Sequence, residues 1–289
     1  MIIQPPSVLL EGPTGTGKTD ALTTYIEAGL ELFVLVTEPT GVDSLLISME
    51  RRNLPIEKLH WHHITPATAG FNDLDDIAAK ISVLSQDALA KLPPQGDRSK
   101  PKWREMLKSL SDFPCDRTST SYGPVDSWDD SKALVVDSLT GISDMAWSMV
   151  VGTKPTAHPG EWQIAMGQIA MWLNRCTSNL KCHFALTAHV SREANEVTGA
   201  QQIMTSTLGS KLAPKIPTYF SEVILSRREG EQFFWSNTAF NVDLKKRALP
   251  FGDKHIPSFV PIVEAHKRRV SLAGGNASAS TFTNLGEVT

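Results

Sequence analysis

The sequence predicts an α/β fold in which a mostly parallel central sheet is flanked by helices. Three observations predict it. A glycine-rich loop, Gly12-Pro-Thr-Gly-Thr-Gly-Lys-Thr19, stands between a short apolar strand pattern and a helical one. Near-continuous apolar runs recur at 32–36, 133–136 and 182–188, the pattern of strands buried on both faces, as in parallel sheets. Each run is followed by a polar residue, Glu38, Asp137 or His189. Ligands of open α/β sheets bind beyond the carboxyl ends of the strands, so these three would share one edge with the glycine-rich loop.

In chain order, 7–10 forms the first strand and 20–29 a helix closed by Gly29. The strand at 32–38 stops at Glu38-Pro39, a helix covers 43–52, and 59–65 reads as a strand. A long helix is expected over 72–92, with Asn72 as its cap, acids in its first turn and Pro93-Pro94 ending it. The stretch 93–130 is rich in Pro, Ser, Asp and Gly around a short helix at 103–110. It has no sustained apolar periodicity, so about 66–130 reads as an insertion in one domain spanning 1–270. Next come a strand at 132–137 and a helix at 161–180, for which Trp162, Ile164, Met166, Ile169, Met171, Trp172 and Leu173 are the candidate packing residues. The polar stretch 191–207 follows the 182–188 strand as a loop. Late antiparallel strands include 240–251, and the Gly-, Ala-, Ser- and Thr-rich end at 271–289 reads as a flexible tail.

Composition narrows the class without naming a chemistry. The 289 residues are 41% hydrophobic and 20% charged, ordinary for a globular protein and unlike a disordered one. No apolar stretch approaches the roughly 18 residues of a membrane-spanning helix, and the start lacks the basic and apolar regions of a secretory leader. Cys115, Cys176 and Cys182 are scattered and odd in number, which favours reduced thiols in a cytoplasmic setting over a disulfide frame or zinc site. In His60-Trp-His-His63, His60 and His62 would share a strand face, but no third ligand follows at suitable spacing. Ordinary strand histidines are therefore expected.

The loop carries the chemistry. It fits G-x-x-x-x-G-K-[ST], in which backbone N–H groups close around nucleotide phosphates at a helix N-terminus whose dipole favours anions. Gly12, Pro13, Thr14, Gly15, Thr16, Gly17, Lys18, Thr19 and Asp20 are the candidate nucleotide-binding residues. Lys18 would reach the β- and γ-phosphates of ATP, and the Thr19 hydroxyl would face Mg²⁺. Ala133-Leu-Val-Val-Asp137 suits the strand whose acid holds the metal's water shell, which makes Thr19 and Asp137 the candidate metal residues. Glu38 is placed to polarise the attacking water, and His189 to contact the γ-phosphate.

These motifs resemble the RecA-like branch of P-loop NTPases, the group of RecA recombinases, DnaB-type helicases and KaiC. The resemblance rests on Val36-Thr-Glu38, on Val-Val-Asp-Ser at 135–138 and on Thr-Ala-His-Val at 187–190. It rests also on Phe240-Asn-Val-Asp-Leu-Lys-Lys-Arg-Ala-Leu-Pro-Phe251, which looks like a late strand carrying a Lys-x-Lys or Lys-x-Arg finger pair. In an extended strand Lys245 and Arg247 point to one face, and the resemblance implies that they act on ATP held by a neighbouring subunit. More narrowly the chain is similar to compact phage ATPases, including Sak-type single-strand annealing proteins, with 208–223 like a segment leading into their late strands. That likeness implies a Mg²⁺-dependent ATPase and homo-oligomer that binds single-stranded DNA at the 191–207 stretch. A single-strand-binding or other replication protein is a further candidate partner, and a membrane is not.

Charge supports DNA contact only locally. The net charge is −3, yet Arg98, Lys100, Lys102, Arg104 and Lys108 face one acid, Glu105, and 244–269 holds seven bases against two acids. Such runs are also ordinary solvated faces. Two other classes therefore stay open: a nucleotide-gated assembly protein with a protein partner, and a helicase-like motor.

Overall fold

The computed structural model describes residues 3–66, 70–85, 88–89, 102–152, 157–194, 201–209, 211–239, 241–250 and 252–273. Eleven strands run in chain order: β1 Ser7–Glu11, β2 Glu31–Val36, β3 Leu59–His63, β4 Pro114–Cys115, β5 Thr120–Ser121, β6 Lys132–Asp137, β7 His183–Ala188, β8 Val190–Ala194, β9 Gln201–Thr205, β10 Glu222–Glu229 and β11 Gln232–Ser236. Seven of them make one sheet in the order β11-β10-β1-β7-β6-β2-β3. Every neighbouring pair in it is parallel except β10 with β11. The expected mostly parallel sheet is present, with β11 as its antiparallel edge.

Alternation along the buried strands builds two cores. Leu9, Phe33, Leu35, Leu134, Val136, Phe184 and Leu186 face one side, packing on the helices Leu139–Val151 and Pro159–Asn179. Val8, Leu10, Leu32, Val34, Ala133, Val135 and Ala185 face the other, against Lys18–Leu22, Gly41–Arg51 and Val260–Ala273. With period-two side chains, such strands must be apolar throughout, which is why their runs read as continuous. Part of the expected insertion belongs to the first core: Trp103, Met106, Phe113, Val125 and Trp128 are buried in it.

Several element expectations need correction. The helix expected at 20–29 is two short segments, Lys18–Leu22 and Thr24–Glu27. At their junction the Thr23 and Thr24 hydroxyls donate to the carbonyls of Asp20 and Ala21, the local competition that disfavours helical continuity. The helix expected from 72 spans Phe71–Val83, and Asn72 is not its cap. Its start is held instead by the Asp73 carboxylate, which accepts from the Gly70 N–H at 3.1 Å. Leu84 is extended, so the helix stops before the expected Pro93-Pro94, which lies outside the described residues. Pro159 opens the helix expected from 161, with His158 as cap. Of its candidate packing residues, Ile169, Trp172 and Leu173 are buried, whereas Trp162, Ile164 and Met171 are exposed.

The 191–207 stretch is not simply a loop: β8 and β9 pair antiparallel, with 195–200 outside the described residues. Between 241 and 250 there is no continuous strand either, only the single bridges Ile203–Val242 and Val223–Lys245. The Glu222 carboxylate accepts from the backbone N–H groups of Arg247 and Ala248, which are thereby withdrawn from any ladder. Of the expected tail, 271–273 continue the last helix and the remainder lies outside the described residues. Of the expected basic run, Arg98 and Lys100 also lie outside them.

His60 is a core residue, stacked on Phe33 with ring centroids 4.6 Å apart, and burial lowers its pKa. His62 Nδ1 meets Asp116 at 2.9 Å. Cys115, Cys176 and Cys182 are free and buried. No helix among the described residues is long and apolar enough to cross a membrane.

Candidate nucleotide site

The phosphate loop runs from the carboxyl end of β1 into the helix beginning at Lys18. Two of its glycines are required by space. A Cβ at Gly12 would collide with the Ser226 carbonyl of β10, and Gly17 has φ 79° with the Phe233 ring 2.9 Å from where its Cβ would lie. Thr16 is buried and locks the turn, donating to the Pro13 carbonyl at 2.8 Å while its own carbonyl accepts from Ser226 Oγ at 2.8 Å. Pro13, Thr14 and Gly15 are exposed at the tip. Lys18 Nζ donates to the carbonyls of Gly12 and Pro13 at 2.8 and 2.9 Å. Burial lowers its pKa, and the charges of Asp137 and Glu38 oppose that shift. Asp20 is turned elsewhere, since its carboxylate pairs with Arg51 and Arg52 of the Gly41–Arg51 helix and its end.

Strand order explains what gathers around the loop. Because β7 lies between β1 and β6, and β2 flanks β6, the residues ending β7, β6 and β2 line up beside the phosphate loop. Asp137 closes β6, is 4% exposed, and accepts from Thr19 Oγ1 at 2.8 Å and from Thr187 Oγ1. Burial raises its pKa, while the two threonine hydroxyls pull it back. Thr19 and Asp137 form a hard-oxygen pair, the donor type that suits Mg²⁺.

Glu38 follows β2 and is 38% exposed at the side chain. Its Oε1 accepts from Ser138 Oγ at 2.6 Å and lies 3.3 Å from His189 Nε2. The hydrogen bond from His189 is the main cause holding its pKa below the usual carboxylate range, with Ser138 adding to it against burial. His189 Nδ1 lies 3.4 Å from Thr14 Oγ1 of the phosphate loop. The tautomer that serves both contacts carries its proton on Nε2 and accepts at Nδ1. Thr37 fixes this corner: its Oγ1 accepts from the Ser138 N–H and donates to the Ser138 carbonyl.

Lys18, Thr19, Glu38, Asp137 and His189 are therefore brought to one place. Lys245 and Arg247 are not: they line a cleft at the opposite, amino-terminal edge of the sheet, with Ser7 of β1 and Ser221. Lys245 Nζ is occupied there by the carbonyls of Pro217, Thr218 and Phe220 at 2.8, 3.2 and 3.3 Å. Sequence reasoning gave no role to Ser138, Thr187 or Glu11. Thr187 had a signal, a hydroxyl within an otherwise apolar buried strand. Glu11 ends β1 at 1% exposure and accepts from Thr205 Oγ1 at 2.7 Å. Burial raises its pKa to about 7, against the Thr205 hydrogen bond. Neighbouring Ser206 donates its N–H to the His189 carbonyl at 2.8 Å, so the β8–β9 hairpin is tied to this site at its base.

Comparison with known proteins agrees with the motif. No curated protein matches the chain. Among solved structures, the crystal structure of the RadB recombinase aligns over 82% of each chain, at 13% identity and a TM-score of 0.34, too slight a likeness to carry an argument. The model of the AAA domain family matches residues 4–249, which include the phosphate loop, both acidic strand ends, Lys245 and Arg247, and the chain belongs to that family.

Proposed function

We propose that the protein is a Mg²⁺-dependent ATPase of RecA-like type that works as a homo-oligomer on single-stranded DNA, in phage recombination or single-strand annealing. The observation that carries the ATPase reading is the convergence of Glu38, Asp137 and His189 on the phosphate loop. Thr19 and Asp137 would hold Mg²⁺, which supplies charge neutralisation at the β- and γ-phosphates when bound. Lys18 and the loop amides bind those phosphates. Glu38 orients the attacking water, kept ionised by Ser138 and His189. His189 bridges Glu38 and Thr14, and it leads directly into β8, so a change at the phosphates reaches the hairpin through one residue.

The oligomer reading rests on the distance of Lys245 and Arg247 from their own phosphate loop, across the height of the sheet. Lys245 is spent on carbonyls, so Arg247 is the stronger candidate to complete a neighbour's site. The DNA reading rests on the RecA-like motifs and the basic segment 244–269. A competing reading, a nucleotide-gated assembly protein, is favoured by one observation: Phe71, Leu74, Ile81 and Val83 are exposed on the Phe71–Val83 helix.

One experiment separates these. ATP hydrolysis is measured with and without single-stranded DNA, across protein concentration, in the wild type and Glu38→Gln. DNA-stimulated turnover that rises with protein concentration and vanishes in Glu38→Gln is expected. Turnover that survives Glu38→Gln removes the assigned role of Glu38. Nucleotide-dependent assembly without DNA affinity would favour the competing reading.

A further inference from the structure

The cleft at the amino edge of the sheet has a volume of about 450 Å³, within the range of small-ligand sites. Among the described residues its walls carry three cations, Lys245, Arg247 and Arg269, and no acid. Most of its hydroxyls are already committed. The Ser221 hydroxyl accepts from the Ser7 N–H and donates to the Ser7 carbonyl, the Ser7 hydroxyl accepts from the Ser221 N–H, Thr177 donates to the Leu173 carbonyl and Thr218 to the Lys215 carbonyl. Lys245 is saturated by three carbonyls. What remains is the guanidinium of Arg247, that of Arg269 and the Tyr219 hydroxyl, none of which has a hydrogen-bond partner among the described residues. Arg269 Nε is in addition a buried donor with no acceptor.

Glu222 is buried nearby, and burial raises its pKa, against the N–H groups of Ala248 and Arg247 and the charges of Arg269 and Arg247. One of its oxygens is taken by the N–H groups of Arg247 and Ala248. A single buried carboxylate does not neutralise three cations, so the cleft keeps a positive surplus. Two forked guanidiniums beside a hydroxyl suit a phosphate ester, since each guanidinium can present paired N–H donors to two oxygens. The cleft cannot serve its own chain's nucleotide, because β1 separates them by roughly 15 Å at about 3.3 Å per residue.

We infer that this cleft is a second phosphate-recognition site, in which Arg247, Arg269 and Tyr219 grip the phosphate ester of a nucleotide unit. The unit is either part of a nucleic-acid strand or the nucleotide bound by a neighbouring copy of this chain. The site shares Arg247 with the functional reading above and adds two residues to it.

The direct probe is inorganic pyrophosphate, titrated calorimetrically into full-length Lys18→Ala protein, whose phosphate loop is weakened. Binding is expected, reduced at least tenfold by Arg247→Gln or Arg269→Gln and less by Arg269→Lys, which keeps charge and loses the fork. No binding, or equal binding in all folded variants, overturns the inference. Neither result requires ATP turnover, so failure of the ATPase reading stays distinguishable. Two arms on a Lys18-intact background then identify the source. If Arg269→Gln weakens a fluorescent single-stranded oligonucleotide about tenfold and lowers the salt slope by about one, the unit belongs to a strand. If it lowers turnover per subunit about tenfold while fluorescent ATP still binds, the unit is the neighbour's nucleotide.

Discussion

Ser138 Oγ donates to Glu38 Oε1 at 2.6 Å, joining the residue after Asp137, the acid that ends β6, to the acid two residues beyond β2. The bond fixes the carboxylate's direction and favours its ionised form. Ser138→Ala is expected to leave ATP affinity within about twofold and to lower turnover roughly tenfold, the scale of a modest misplacement. Its acidic limb in the pH–rate profile moves to higher pH, because a carboxylate that loses a donor becomes easier to protonate. An unmoved limb would show that Ser138 does not act through Glu38.

Lys18→Ala is expected to weaken ATP binding by tenfold or more, measured by displacement of a fluorescent nucleotide. Glu38→Gln should bind ATP normally. Finding the two variants alike in affinity would mean the ammonium does not meet the phosphates.

Glu11 predicts a pH-dependent stability. Its folded pKa, about 7, lies above the ordinary 4.5. A raised carboxyl contributes stability that is complete below the unfolded value and is lost as pH rises towards the folded one. The loss across pH 4.5 to 7 reaches about 3 kcal/mol at 1.36 kcal/mol per pKa unit. Glu11→Gln keeps an acceptor for Thr205 and removes the charge. Urea unfolding at pH 5 and pH 8 should therefore show the variant gaining on the wild type as pH rises. A constant difference between the two proteins would contradict the burial of this carboxyl.

Lys245→Met should lower stability by about 1–2 kcal/mol through three carbonyls left without their donor. Arg247→Met, which removes no side-chain hydrogen bond among the described residues, should stay within about 0.5 kcal/mol. Thermal unfolding of both compares them directly. Equal, negligible effects would return Lys245 to the role of a free finger.

The sequence made the sheet and the site legible to different depths. Buried parallel strands at 32–36 and 133–136 are apolar on both faces, so their runs announce themselves. The glycine-rich loop is equally plain, because few residue types permit its turns. Glu38, Asp137 and His189 could be placed at one edge because all three follow buried strands. What could not be seen was pairing at a distance. Ser138 meets Glu38 across 100 residues and Thr205 meets Glu11 across 194, neither of which leaves a periodic trace. Nor could 240–251 be read correctly, since its amides go to Glu222, a side chain on another strand. The exposure of Ile164 and Met171 was likewise hidden, because apolar residues on a long helix do not say which faces find partners.

The base of the β8–β9 hairpin bears on energetics as well as geometry. One foot leaves His189, and the other is pinned by Glu11 and by the His189 carbonyl, so nucleotide site and hairpin share their supports. Where nucleotide and a partner each prefer one placement of the hairpin, linkage makes their effects on each other reciprocal. Whatever partner prefers one placement of the hairpin must change nucleotide affinity by the same factor that nucleotide changes affinity for that partner.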